Sequence, residues 1–440
     1  MKYTLMSFLA VSTLIACQSQ PRDKNKTNTP ADTVTTKTEE VKLPEPYATP
    51  SKNAFCKVIG WPADKKPVAP SGFTVNIFAK DLNNPRWIYQ ANNGDIFVSQ
   101  ASTDAGAIKK VGAQLTGKAK SQNLGNSANN VLLFRDTTGD NIPDISEVFL
   151  SDLEQPFGML VLGNFFYVAN TNALLRYPYD PEKHKITGKP KKILDLPKGG
   201  YNNHWTRNLL ANGNGSKIYI SVGSGSNVAE HGMENEIRRA NILEINPDGT
   251  GERIFAAGLR NPVGMGWAPG TSTLWTAVNE RDELGDELVP DYLTSVQEGG
   301  FYGWPYSYFG ANKDPRMNNE RQDLVAKAIV PDVPLGAHTA SLGLAFYDKD
   351  AFPSKYHNGA FIGQHGSWNR SSLVGYKIVY VPFKSGKPSG KPEDFLTGFI
   401  ANAAENEVYG RPVGVTILQN GTMLVADDAS NTIWSVTAGK

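Results

Sequence analysis

Only two cysteines occur in the 440 residues, Cys17 and Cys56, and positive and negative charges nearly cancel, leaving a formal charge of +1. Two cysteines exclude a disulfide-stapled scaffold, and without a Cys-x-x-Cys-His run no haem can be attached covalently. A balanced charge with no block of one sign argues against a nucleic-acid footprint, which needs a basic face. Long apolar runs are missing too. The longest, from Leu5 to Ala16, is too short to span a bilayer. No stretch combines helical periodicity with caps over any length, apart from a possible turn near Glu234 to Arg239. What is plentiful is glycine (42) and proline (28), spread without a period. That is the mark of many strands joined by many turns.

The N-terminus reads as a targeting segment. Met1-Lys2 precedes the apolar run, which ends Leu14-Ile15-Ala16-Cys17 and resembles a lipoprotein box. Residues 1–17 are therefore expected to be a lipoprotein signal with Cys17 acylated. Gln18 in the next position favours the outer membrane, facing the periplasm. Two or three acyl chains give stable anchoring, at ~0.8 kcal/mol for each buried CH₂. Cys56 is then left alone, so no intrachain disulfide forms. Residues 18–50, rich in Thr, Lys, Pro, Asp and Glu, read as a disordered tether. The folded body is expected over 51–440.

Within that body one unit recurs: a turn, an apolar strand, a Gly/Asn turn, and a second strand ending in a small residue. The copies begin at Pro85, Pro156, His204, Pro262, Ser341 and Pro412, a mean step of about 65 residues. A usual propeller blade takes ~40–50, so long inter-strand loops are expected. Six such units without helices predict an all-β fold, a six-bladed β-propeller, because radial closure leaves only short, protected edges. The entry turns would then converge on one mouth of a central channel. The third copy departs from the others by placing His204 at the proline position.

Three further stretches complete a pattern: Leu259-Arg260-Asn261-Pro262-Val263-Gly264, the loop Asn279 to Glu287, and Gly299-Gly300-Phe301-Tyr302-Gly303-Trp304-Pro305. In this order, with His204 upstream and Gly410-Arg411-Pro412 downstream, they resemble the soluble PQQ-dependent sugar dehydrogenases, in the aldose and sorbosone dehydrogenase branch. The resemblance runs from about Ser71 to Val436. It implies oxidation of an aldose, or a related sugar aldehyde, at C1 to a lactone or acid. The implied cofactors are PQQ, a flat tricarboxylate o-quinone, and Ca²⁺. By resemblance His204 is the general base, and Arg260 stabilises charge on the quinone C5 oxygen. Asn261 hydrogen-bonds the cofactor, and Arg411 and Arg370 pair with its carboxylates. The backbone carbonyls of Arg281 and Asp282 hold the Ca²⁺, and a second, structural ion uses Glu287 and the Tyr302 carbonyl. Electrons must leave to a separate acceptor, a quinone or a cytochrome.

Some residues depart from the pattern of glucose-oxidising members. Asn203 stands where they have Asp before the histidine, Ser224 where they carry an acid, and Tyr409 where they have a second Arg. The substrate sugar and the cofactor affinity rest on these positions. Separately, Asp136, Asp140 and Asp144 are spaced carboxylates around Gly139. They suit an Asx-rich turn better than a Ca²⁺ loop, since the pattern is not that of an EF-hand. Two other readings stay open. A Ca²⁺-dependent lactonase-type hydrolase would want a ring of Glu, Asp and Asn at the mouth, which the six turns do not show. A non-catalytic glycan- or protein-binding propeller would have no need for His204, Arg260 and Arg411 together.

Overall fold

A computed structural model describes residues 41–103, 107–121, 124 and 126–439. The expected signal peptide with Cys17, and residues 18–40 of the expected tether, lie outside the described residues. Residues from Val41 onward form one compact unit. No helix among the described residues is long and apolar enough to cross a membrane.

Among the described residues, six antiparallel sheets follow one another along the chain, five of four strands and one, over Met159–Asp195, of five. Their innermost strands are, or directly follow, the repeated turns: Pro85–Gln90, Met159–Leu162, Leu209–Ala211, Pro262–Trp267, Ser341–Phe346 and Pro412–Ile417. The sixth sheet takes its outermost strand, Phe73–Ala79, from the N-terminal side of the fold, paired with Thr432–Ala438. This pairing ties the two ends of the propeller together.

The repeated glycine explains how the sheets approach one another. A side chain at Gly158 would meet the Leu209 nitrogen of the next sheet at 2.5 Å, and one at Gly264 would meet Leu344 at 2.5 Å. One at Gly414 would meet the Arg86 carbonyl of the first sheet at 2.6 Å, and one at Gly343 would collide with the Val413 carbonyl. Glycine is thus required at these four contacts between inner strands, which include the one from the sixth sheet to the first. Phe157, Val263, Leu342 and Val413, each one residue before such a glycine, are buried in a single apolar cluster at the axis.

Three expectations need correction. Residues 41–50, expected to belong to a disordered tether, are part of the compact unit. Tyr47 N donates to Leu284 O (2.8 Å) and Asp286 N to Thr49 Oγ1 (2.7 Å), so polar groups of this segment find partners on the fold. A short α-helix, Ala107–Leu115, lies in the long loop between the second and third strands of the first sheet, where capping signals are lacking. Finally, His204 does not occupy the proline position. Leu209 pairs with Ile220 as Met265 pairs with Thr276. This register aligns Thr206-Arg207-Asn208 with Pro262-Val263-Gly264, and His204 with Arg260.

Cys56 is buried, a small apolar filler. The Asp136–Asp144 loop is an Asx turn. Asp136 accepts from the Gly139 and Asn141 nitrogens (2.6 and 2.7 Å) and Asp144 from Thr137 N (2.7 Å), so its carboxylates serve the backbone. Among the described residues no cluster of three His, Cys, Asp or Glu is disposed to hold a metal.

Candidate active site

His204 and Arg260 enter from equivalent turns of neighbouring sheets, and the strand exit after Val222 holds both. Gly223 makes room for them, since a side chain there would collide with Asn261 Oδ1 and crowd the His204 Cβ. Ser224 N donates to the Arg260 carbonyl at 2.7 Å. In return, His204 Nδ1 lies 2.8 Å from the Ser224 carbonyl oxygen and 3.0 Å from Ser224 Oγ. A carbonyl only accepts, so Nδ1 carries the proton and Nε2 keeps its lone pair. Burial, then the Arg260 charge, push the imidazole pKa down to about 3, so it is neutral throughout the physiological range. Ser224, where an acid was expected from the resemblance, therefore still fixes the tautomer through its backbone. From behind, buried Arg207 donates to the His204 carbonyl at 2.7 Å.

Arg260 is buried, and its guanidinium is fully oriented. It donates to the carbonyls of Asn227 (3.1 Å) and Glu280 (2.5 Å), to Asn227 Oδ1 (2.8 Å), and to Asp282 Oδ2 (3.3 Å). Asp282 also meets His338, whose Nδ1 is 3.1 Å from Oδ1 and whose Nε2 is 2.8 Å from the Gly285 carbonyl. Both partners accept only, so His338 is an imidazolium. Burial opposes that charge, but the hydrogen bond to Asp282 raises its pKa. The same contacts hold the Asp282 carboxyl below its ordinary range, although burial pushes the other way. The 299–305 motif joins this network through Trp304, whose Nε1 donates to the Asn227 carbonyl at 3.0 Å.

Across the ring, Arg411 lies on the Tyr376 ring and donates to the carbonyls of His365 (3.1 Å) and Gly366 (3.3 Å). His365 Nε2 is 2.8 Å from Asp428 Oδ1, and the other Asp428 oxygen pairs with Arg86. Arg86 in turn lies over the Trp205 ring at 5.4 Å, beside His204.

The remaining expected ligands are placed differently. Arg370 has both terminal nitrogens on the 286–287 loop, at the Asp286 carbonyl and the Glu287 carboxylate. Its terminal nitrogens thus hold that loop, and only its buried Nε lacks a partner. The Arg281 side chain is fully buried between Glu280 and Asp314 (2.9 and 3.1 Å). The Asp282 carbonyl already accepts from Asn227 Nδ2 (3.2 Å) and Arg316 Nη1 (3.0 Å). Glu287 bonds Arg370, whereas Tyr302 bonds Ala257, Ser295 and Gln297, and no contact among the described residues joins the two. Of the expected calcium donors, the Asp282 carbonyl and the Glu287 carboxylate thus already have partners within the protein. Groups suited to a quinone are also present. Asn261 Oδ1 is buried without a hydrogen-bond partner beside His204 and Arg260, and buried arginines stand on both sides of the ring. Asn227, Arg207, Asp428 and Arg86 are the contributors that sequence reasoning missed. Arg86 and Arg207 carried one legible signal, arginine at the place where four other copies have an apolar residue.

The TrAA12-like family model matches residues 67–306 and 307–439. The chain belongs to the TrAA12-like family. An uncharacterized protein of Borreliella burgdorferi is 29% identical over 380 residues, covering 83% of this chain and 89% of that protein. The aldose sugar dehydrogenase YliI of Escherichia coli K12 is 27% identical over 192 residues, 41% of this chain and 50% of the enzyme. The PQQ-dependent pyranose dehydrogenase of Coprinopsis cinerea is 23% identical over 354 residues, 66% and 47% respectively. The chain thus spans about half the length of these two enzymes. The holo PQQ domain of the Coprinopsis enzyme superposes with a TM-score of 0.68 at 19% identity, covering 87% of this chain and all of that domain. A calcium structure of the Trichoderma reesei AA12 protein gives 0.67 at 18% identity, covering 85% and 97%. These likenesses establish the fold of this TrAA12-like chain, a β-propeller.

Proposed function

We propose that this protein is a PQQ-dependent dehydrogenase that oxidises an aldose or related sugar aldehyde at C1, to the lactone or acid. The observation that carries the reading is His204: its tautomer is fixed by Ser224, its lone pair is free, and Arg260 and the unpartnered Asn261 Oδ1 lie beside it. The relatives named as sugar dehydrogenases support it. When bound, the quinone supplies the acceptor for the C1 hydride at its C5 carbonyl. Neutral His204 takes the proton of the C1 hydroxyl on Nε2. Arg260, locked by Asn227 and Glu280, holds a fixed positive charge for developing oxygen anion without reorganising. Asn261 orients the ligand, and Arg411 meets its carboxylates, since a guanidinium matches a carboxylate through two parallel bonds. Calcium belongs to the proposal only as a family cofactor, and no step is assigned to it. An outer-membrane lipid anchor at Cys17 and a separate quinone or cytochrome acceptor complete the reading.

The test uses the protein purified without its signal, incubated with PQQ and Ca²⁺, and a panel of aldoses with an artificial dye as acceptor. Dye reduction that requires PQQ is the expected result. No quinone binding and no turnover would overturn the dehydrogenase reading, and full activity in His204→Ala would overturn the base assignment.

A further inference from the structure

On the innermost ring, four sheets place apolar residues at one equivalent position, Phe157, Val263, Leu342 and Val413. The first and third sheets place Arg86 and Arg207 there. Both terminal nitrogens of Arg207 are engaged, donating to three carbonyl oxygens and to Asn202 Oδ1. Arg86 has only one engaged, Nη1 on Asp428, and its Nε, like that of Arg207, is buried with no hydrogen-bond partner. The second terminal nitrogen of Arg86 makes no hydrogen bond among the described residues, which leaves it for an acceptor that arrives with a ligand. The guanidinium also lies over Trp205, one residue from His204.

Its electrostatic surroundings point the same way. Asp428 is shared between Arg86 and His365, and Arg411 donates to the His365 carbonyl, so both buried guanidinium groups stand beside the same Asp428–His365 pair. Arg370 instead has both terminal nitrogens on the 286–287 loop.

We propose that Arg86 is a cofactor-binding residue. With Arg411 it forms a cationic pair for a carboxylate of a planar polyanionic quinone, and Asp428 positions Arg86 for that contact. The inference rests on the quinoprotein reading above.

The test needs no turnover. The apo protein is titrated with PQQ and with its uncharged trimethyl ester, following tryptophan fluorescence and heat. Wild type is expected to prefer the acid. Arg86→Gln is expected to weaken PQQ binding by about tenfold or more, with ester binding changed less than about twofold. Arg86→Lys, which keeps the charge and loses the fork, falls between. Equal PQQ affinity in wild type and a folded Gln variant overturns the role of Arg86 alone. If the Gln variant does not fold, wild-type affinity in a folded Lys variant does the same. No quinone binding by wild type overturns the dehydrogenase reading together with this inference.

Discussion

Asn227 Oδ1 accepts from Arg260 Nη2 at 2.8 Å and from the Asp282 nitrogen at 2.9 Å, while its Nδ2 donates to the Asp282 carbonyl at 3.2 Å. One amide side chain thereby fixes the guanidinium to the loop that follows it. A positioned charge stabilises a transition state only if it need not move. Asn227→Ala should therefore lower kcat by about 10–100-fold, with KM changed by less than about threefold, because the loss falls on the transition state. Asn227→Asp keeps the acceptor for Arg260 and should recover most of the loss. A kcat within about twofold of wild type in the Ala variant would refute the positioning role.

Two buried histidines make stability pH-dependent. His204 is pushed down to about 3 and His365 to about 4, each first by burial and next by a neighbouring arginine, Arg260 and Arg411 respectively. In the unfolded chain both titrate near pH ~6.5. Below that pH the unfolded state takes up protons that the folded state refuses, so stability falls as pH drops from about 6.5 toward 4, by up to about 1.4 kcal/mol per pH unit for each histidine. Asp282 and Asp428, held below the ordinary carboxylate range, stay ionised across this window. Urea midpoints measured from pH 7 to 5 should fall, and His365→Gln should flatten the slope. Buried Asp291, pushed up to about 6, acts the other way below that pH, so the comparison of variants is decisive: a His365→Gln slope equal to that of wild type contradicts the placement of this ring.

Gly343 is tested by adding one methyl group. A side chain there collides with the Val413 carbonyl, where the fifth sheet packs on the sixth. Backbone cannot yield as a flexible side chain does, so Gly343→Ala should cost about 1–3 kcal/mol. Gly270, with nothing within 4 Å but a positive φ of 72°, is a control for strain without collision. Thermal or urea unfolding compares the two. A Gly343→Ala variant as stable as wild type would show that the inner strands do not pack this closely.

The propeller was legible because its units repeat. Pro-x-Gly recurs at Pro156, Pro262 and Pro412, and each glycine marks a strand contact that sequence can record locally. The pairing of Phe73–Ala79 with Thr432–Ala438 left no such mark, because partners so far apart in sequence are chosen by the closed ring. Of the site, His204, Arg260, Asn261 and Arg411 were found because motifs surround them. Their register was harder to read. The third sheet replaces Pro-x-Gly with Thr206-Arg207-Asn208, which hid a two-residue offset in His204. Asn227 and Asp428 act through hydrogen bonds set by loop geometry, which residue type and spacing do not encode.

Residues ahead of the propeller also hold the loop at the site. Thr49 Oγ1 and Ser51 Oγ accept from the nitrogens of Asp286 and Gly285 at 2.7 and 3.2 Å, and Tyr47 N donates to the Leu284 carbonyl. The same loop carries the Gly285 carbonyl that accepts from His338 and the Glu287 carboxylate that pairs with Arg370. Starting the chain at Ala54 removes three loop contacts while sparing Lys57–Val58, which pairs with Glu407–Val408. Two of the loop amides then lose their acceptors. Amide exchange over residues 283–288 should accelerate by about tenfold or more, because local opening becomes easier by the worth of those bonds. Exchange in the innermost strands, Pro262–Trp267 among them, should not change. Uniform acceleration throughout the protein would mean that the segment stabilises the whole fold, and no acceleration at 283–288 would mean that it holds nothing there.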